Sequence, residues 1–177
     1  MPLANFAWNP AFAWDGSQPR LRDQALAALT NPREMHAGCA NVVAALGRDA
    51  ALGAAFAAAF GTREITAERI GLALEQFLLM IVSAGSKFDR SLRGAAELTE
   101  QEQRGFALCL MESDPARGKR GADCFHCHGG ALFSDYGLKN TGLDRASADA
   151  GHAIVTGSGG DAGPSSCRPD RACGRRG

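Results

Sequence analysis

Apolar positions recur at helical spacing along most of the chain, and turn residues cut the pattern into short segments. Leu21, Ala25, Leu26 and Leu29 share one face and predict a helix over Leu21 to Leu29. Thr30-Asn31-Pro32 breaks it, and Asn31 is placed to cap a following helix with Pro32 at the first position and Glu34 in the first turn. Alanine-rich segments from Met35 to Leu46 and from Ala50 to Phe60 predict two packed helices separated near Gly47-Arg48-Asp49, with Gly61 as a C-terminal cap. Thr66 opens the longest helix, running to about Ser83, with Ile70, Leu74, Phe77, Leu78 and Ile81 on its buried face. Leu72, Leu79, Met80 and Val82 widen that stripe, which places the helix at the centre of a core. After the polar stretch from Gly85 to Glu97, with a helical piece at Phe88 to Leu92, Thr99-Glu100-Gln101-Glu102 forms a capping box. The helix behind it carries Phe106, Leu108, Leu110 and Met111, and Ser113 to Gly121 reads as a charged loop. There is no repeat and no convincing strand pattern, so the predicted fold class is all-α.

The two ends depart from this pattern. Residues 1 to 20 hold Phe6, Trp8, Phe12 and Trp14 among the turn pairs Asn9-Pro10 and Asp15-Gly16, which predicts an ordered loop pinned by its rings. Beyond about Ser158 the chain has almost no apolar residue larger than Ala and cannot build a core.

Composition narrows the function classes. The chain has 177 residues, enough for one full domain or two small ones, and 45% apolar residues suffice for a packed interior. Nineteen basic residues balance nineteen acidic ones, so no broad field points to nucleic acid or an anionic membrane. The longest uninterrupted apolar run in the central helix, Phe77 to Val82, is too short to span a bilayer. Of six cysteines, Cys39 and Cys109 sit singly within helical patterns and read as buried thiols.

Chemistry concentrates at Cys124-Phe125-His126-Cys127-His128. A Cys-x-x-Cys-His run is the spacing of c-type haem attachment. On one helical turn Cys124, Cys127 and His128 share a face, so two thiols can add to porphyrin vinyl groups while the imidazole ligates iron. Cys-x-x-Cys pairs also serve zinc sites and redox disulfides. A structural zinc site wants a second ligand pair, however, and Cys167 and Cys173 lie about forty residues on in an Arg/Gly-rich tail. A dithiol redox pair would not require His128. His126 and His36 read as surface residues.

From Pro2 to about Gly163 the chain resembles the bacterial di-haem cytochrome c peroxidase family, which includes the MauG-type enzymes. The resemblance is carried by Asn5, Asn9-Pro10, Trp14-Asp15-Gly16, Gln24-Ala25-Leu26, Asn31-Pro32-Arg33-Glu34-Met35, Thr66-Ala67-Glu68-Arg69-Ile70, Phe88-Asp89-Arg90, Cys124 to Gly130, and Phe133 with Asn140-Thr141-Gly142-Leu143. It implies a partial two-domain architecture of cytochrome c-like haem domains. Residues 1–90 would be the remainder of a peroxidatic domain, 91–163 an electron-transfer domain holding haem c, and 164–177 a disordered or out-of-frame tail. Cys124, Cys127 and His128 would hold the electron-entry haem, the one attachment site in this chain where the family has two. Trp14, Gln24 and Glu34 are spaced ten apart, as are the family's inter-haem tryptophan and its two polar residues beside the peroxidatic haem. Trp14 would then relay electrons, Glu34 would be the acid-base group and Gln24 would orient hydrogen peroxide. Without the resemblance, Glu34 is a helix N-terminal acid and Gln24 a surface residue.

The resemblance also implies a small electron-donor protein such as a cytochrome c or a cupredoxin, a homodimer, and a periplasmic location, although Met1 to Asn5 lacks the pattern of a signal peptide. The first haem motif and an asparagine that helps bind an inter-domain calcium would fall ahead of Met1. The ligand that caps the second haem would follow Gly163; Met1, Met35, Met80 and Met111 all precede the motif, and His152 sits where the family needs no histidine. The expectation is an internal fragment of a di-haem peroxidase, with a single-haem electron-transfer protein or an inactive fragment as the alternative.

Overall fold

A computed structural model describes residues 3–13 and 16–137. Trp14, the segment from Asn140 to Leu143, His152 and the 164–177 tail lie outside the described residues. The chain divides into two compact units, Met1–Val82 and Ser83–Gly177. The described elements are almost all helical.

In the first unit, α1 (Leu21–Thr30), α2 (Cys39–Leu46), α3 (Ala50–Phe60) and α4 (Ala67–Leu79) follow a 3-10 turn at Phe6–Trp8. Local signals set several boundaries. The Asp49 carboxylate accepts from the Ala51 and Leu52 amides at the start of α3, Gly61 closes it at φ 75°, and the Thr66 hydroxyl caps α4. Phe6, Phe12 and Leu21 form the buried cluster, with Leu78 and Leu79 packed against it. Phe6 and Phe12 meet edge to face at 5.8 Å, and an antiparallel bridge between Phe12 and Gln18 folds the N-terminal loop over them. The Asn5 amide donates to the Ile81 carbonyl at 2.9 Å, which ties the loop to the end of α4. Helix α1 crosses α4 at the buried Gly71, where a Cβ would lie 3.1 Å from Leu26 Cδ1, and Arg22 pairs with Glu75 at 2.9 Å beside the crossing.

Two expectations for this unit need correction. The helix expected from Met35 begins at Cys39, and Glu34 is not in its first turn. Asn31 Oδ1 accepts from the Arg33 amide at 2.9 Å, so its side chain closes a local turn instead of capping a helix. The segment folds back on α1, with the Met35 amide on the Ala28 carbonyl and the Ala37 amide on that of Leu29. Helix α4 also ends early, at Leu79. Phe77 is 62% exposed and Met80 78%, so the widened stripe points partly to solvent; Ile70 is buried while Leu74, Leu78 and Ile81 are half-buried.

In the second unit, α5 (Lys87–Leu92) and α6 (Glu100–Leu110) both start with capping boxes, Ser86 with Asp89 and Thr99 with Glu102. Helix α5 packs on α6 through Phe88 and Phe106, 5.0 Å between ring centroids, and through the Lys87–Glu102 ion pair. These contacts place Phe88-Asp89-Arg90 with the second unit, where the sequence put the boundary at residue 90. The charged loop is a small antiparallel ribbon, β1 (Ser113–Asp114) and β2 (Lys119–Arg120), closed because the Asp114 side chain accepts from the Arg117 amide and Gly118 supplies φ 73°. Among the described residues no single helix is long and apolar enough to cross a membrane, and the apolar pair α2 and α3 is bent by 101°.

Glu102 titrates abnormally because of this packing. Its carboxylate accepts from the Lys87 ammonium first, then from the Thr99 amide and hydroxyl, and its pKa falls from 4.5 to about 2. A depressed folded-state pKa contributes stability that is complete above the unfolded value and is lost as pH falls from 4.5 toward about 2. Glu102→Gln should flatten that acid-side loss in urea unfolding, and added salt should weaken it in the parent chain. A Glu102 carboxyl found by NMR to titrate at its ordinary value would remove the basis of this prediction.

Candidate functional site

The site is built on the end of α6. There the returning chain passes so close that a Cβ on Gly121 would lie 1.8 Å from the Met111 carbonyl oxygen, and only glycine fits. Three backbone bonds hold the crossing: Gly121 amide to Glu112 carbonyl at 3.2 Å, Ala122 to Leu108 at 2.9 Å, and Asp123 to Met111 at 3.1 Å. Asp123 then turns the chain at φ 59°, and Cys124–His126 forms one 3-10 turn. The Cys124 carbonyl accepts from the Cys127 amide at 3.2 Å and the His128 amide at 2.9 Å. That shared acceptor gathers Cys124, Cys127 and His128 onto one short turn, as their spacing predicts.

His128 is oriented by a carbonyl. Its Nδ1 lies 3.1 Å from the Phe133 carbonyl oxygen, which can only accept, so Nδ1 is the donor and, in the neutral ring, Nε2 keeps a lone pair for a metal. Phe133 holds φ 51°, and its ring packs on Phe88 at 5.3 Å. The Cys124 and Cys127 thiols are free, the first half-buried and the second exposed, as is His128. Leu108 and Met111, whose carbonyls hold the motif in place, present partly exposed apolar side chains beside it. Two nucleophilic thiols, one imidazole nitrogen turned away from the carbonyl and adjacent apolar surface fit a covalently attached haem. They do not resemble a zinc cage, since no group of three or more His, Cys, Asp or Glu among the described residues could hold a metal ion.

His126 is exposed, stacked on Phe125 and 3.1 Å from Asp123 Oδ1. Two features escaped the sequence. Cys109 is half-buried, not buried, and its thiol neighbours that of Cys124; burial pushes its pKa up and Cys124 adds to the shift. Tyr136 Oη is buried and has no hydrogen-bond partner among the described residues.

In the first unit a cavity of about 280 Å³ is lined by Leu3, Phe6, Leu21, Ala28 and Leu78, with Gln24 the one polar side chain in its wall. Glu34 does not line it. Its carboxylate is exposed and accepts from Asn31 Nδ2 at 2.8 Å, on a turn whose Met35 amide is bonded to Ala28 in the cavity wall. Gln24 and Glu34 are thus carried by neighbouring segments, and the side chains point to different surroundings.

The chain is similar to several known proteins. Residues 1–97 match the family described as di-haem cytochrome c peroxidase. The chain is 34% identical over 142 residues to a methylamine utilization protein MauG of Methylophilus methylotrophus, covering 80% of this chain and 40% of that protein. It is 31% identical over 163 residues to a cytochrome c551 peroxidase of Nitrosomonas europaea, covering 88% and 45%. Among solved structures, a MauG-like protein associated with microbial copper homeostasis superposes with a TM-score of 0.72 at 30% identity, over 92% of this chain and 53% of that one. The diheme peroxidase BthA from Burkholderia thailandensis gives 0.62 at 26% identity, over 83% and 40%. The chain therefore spans less than half the length of these curated relatives.

The Gly121 crossing is open to direct test. Gly121→Ala should destabilise the chain by at least about 2 kcal/mol in urea unfolding, because the new Cβ must displace backbone. An unchanged midpoint would mean that the crossing yields at little cost.

Proposed function

The chain belongs to the di-haem cytochrome c peroxidase family, and from that premise we propose that its second unit carries one covalently attached haem c serving peroxide reduction. The observation that carries this reading is the His128 Nδ1 to Phe133 carbonyl contact on the same turn as two free thiols. Cys124 and Cys127 would form the thioether links and His128 Nε2 would be the axial ligand. Bound haem supplies the one-electron carrier between a small donor protein, a cytochrome c or a cupredoxin, and the peroxidatic centre.

For the peroxidatic side, Gln24 stands ready to hydrogen-bond a peroxide or its water, being the polar group in an otherwise apolar cavity wall. Glu34 is assigned the proton transfer between the two peroxide oxygens, with the Asn31 amide holding Oε1 of its carboxylate. Trp14 is assigned the electron relay. Haem at both centres, an inter-domain calcium, a homodimer and a periplasmic setting complete the proposal for the parent enzyme. A second reading is a single-haem electron-transfer protein, which would use only the Cys-x-x-Cys-His of the second unit.

Expression with the c-type haem maturation machinery tests the haem assignment. The expected product has one haem per chain by pyridine haemochrome assay, retained on a denaturing gel. Cys124→Ala combined with Cys127→Ala should abolish that retained haem. His128→Ala should change the iron's spin-state spectrum. Absence of covalent haem would overturn the assignment. One haem per chain with reversible one-electron chemistry and no peroxide turnover favours the electron-transfer reading, whereas peroxide turnover in a product with two haem centres supports the peroxidase reading.

A further inference from the structure

Cys109 is the nucleophile that the haem-site reading leaves unused. It lies on the last turn of α6, and the chain carrying Cys124 is pinned to that turn on either side of it, by the Ala122–Leu108 and Asp123–Met111 backbone bonds. The pinning sets Cys109 and Cys124 on facing segments with their thiols close enough to interact, and neither is in a disulfide. Cys124 Sγ otherwise has the Ala122 carbonyl at 3.5 Å, a loose contact that leaves the sulfur available. Cys127, the partner expected from sequence spacing, is exposed, whereas Cys109 and Cys124 are both half-buried.

We propose that in the haem-free chain Cys109 and Cys124 form a disulfide when a peroxide acts as a two-electron oxidant, and that this bond withholds Cys124 from thioether formation. The second clause rests on the haem-attachment reading; the first does not. In this reaction Cys124 is the sulfur oxidised first. Its thiolate attacks one peroxide oxygen, an S–O bond forms as the O–O bond breaks, and the departing hydroxide is protonated to water. Cys109 sulfur then attacks the sulfenyl sulfur, the S–S bond forms as the S–O bond breaks, and the Cys109 proton leaves with hydroxide as a second water. The two thiols lose two electrons and two protons, and hydrogen peroxide becomes two waters.

Peptide mapping of the full haem-free chain tests this. The reduced chain is treated with stoichiometric hydrogen peroxide, alkylated and digested with trypsin without reduction. Gly105–Arg117 contains Cys109 as its one cysteine, and Gly121–Lys139 contains Cys124 and Cys127. The expected main product links these two peptides; the link survives Cys127→Ser and disappears in Cys124→Ser. A Cys124–Cys127 bond within Gly121–Lys139 as the main product overturns the proposal. In a second arm, Cys109→Ser matured under peroxide stress should yield several-fold more covalent haem than the parent chain, with equal yields in reducing medium. Equal yields under stress overturn the withholding step. No haem in either chain under any condition overturns the haem reading, while the disulfide still stands or falls on the peptide map.

Discussion

The passage of Gly121 beneath the Met111 carbonyl is the contact on which the second unit's chemistry depends. A glycine there lets the chain lie directly on the end of α6, and the amides of Gly121, Ala122 and Asp123 then find carbonyls on residues 108 to 112. These bonds engage the carbonyls of Leu108, Met111 and Glu112 at and just past the end of α6, so the helix end and the motif are positioned together. A longer side chain would lift the segment away, and the 3-10 turn at Cys124 would lose its floor. The motif supplies the reactive atoms, but α6 decides where they stand.

Much of this was legible wherever a signal is local. Asp49 and Gly61 bound α3, Thr66 caps α4, and Thr99 with Glu102 caps α6, because each places a particular side-chain or glycine conformation at a particular peptide group. The start of α2 was not legible. Asn31 can cap a helix or close a turn with similar hydrogen bonds, and the choice fell to the backbone bonds that fold residues 35 to 37 onto α1. The outer edge of the α4 stripe failed for a related reason. Periodicity tells which residues share a face, but the N-terminal loop and α1 decide how much of that face is covered, and they leave Phe77 and Met80 outside.

The site divides in the same way. The gathering of Cys124, Cys127 and His128 on one turn was legible because it follows from their spacing. The imidazole's acceptor was not, because a backbone carbonyl has no letter in the sequence; nor was the Cys109–Cys124 approach, which depends on the chain reversing after α6. Glu34 and Gln24 were reached through resemblance, and the fold sets one in a cavity wall and the other on an exposed turn joined to that wall.

The orientation of the His128 ring follows from packing several contacts away. Phe133 offers its carbonyl to Nδ1 from a left-handed backbone conformation that a bulky residue adopts only under constraint. The constraint is its ring, held against Phe88 on α5, which in turn packs on Phe106 of α6. Lys87, the residue before Phe88, is joined to Glu102 in the first turn of α6, and Glu102 also completes that helix's capping box. One carboxylate thus caps α6 and anchors α5, while α5 sets Phe133 and Phe133 orients the imidazole ring. The nitrogen presented to a metal is selected by aromatic packing that a Cys-x-x-Cys-His pattern does not specify.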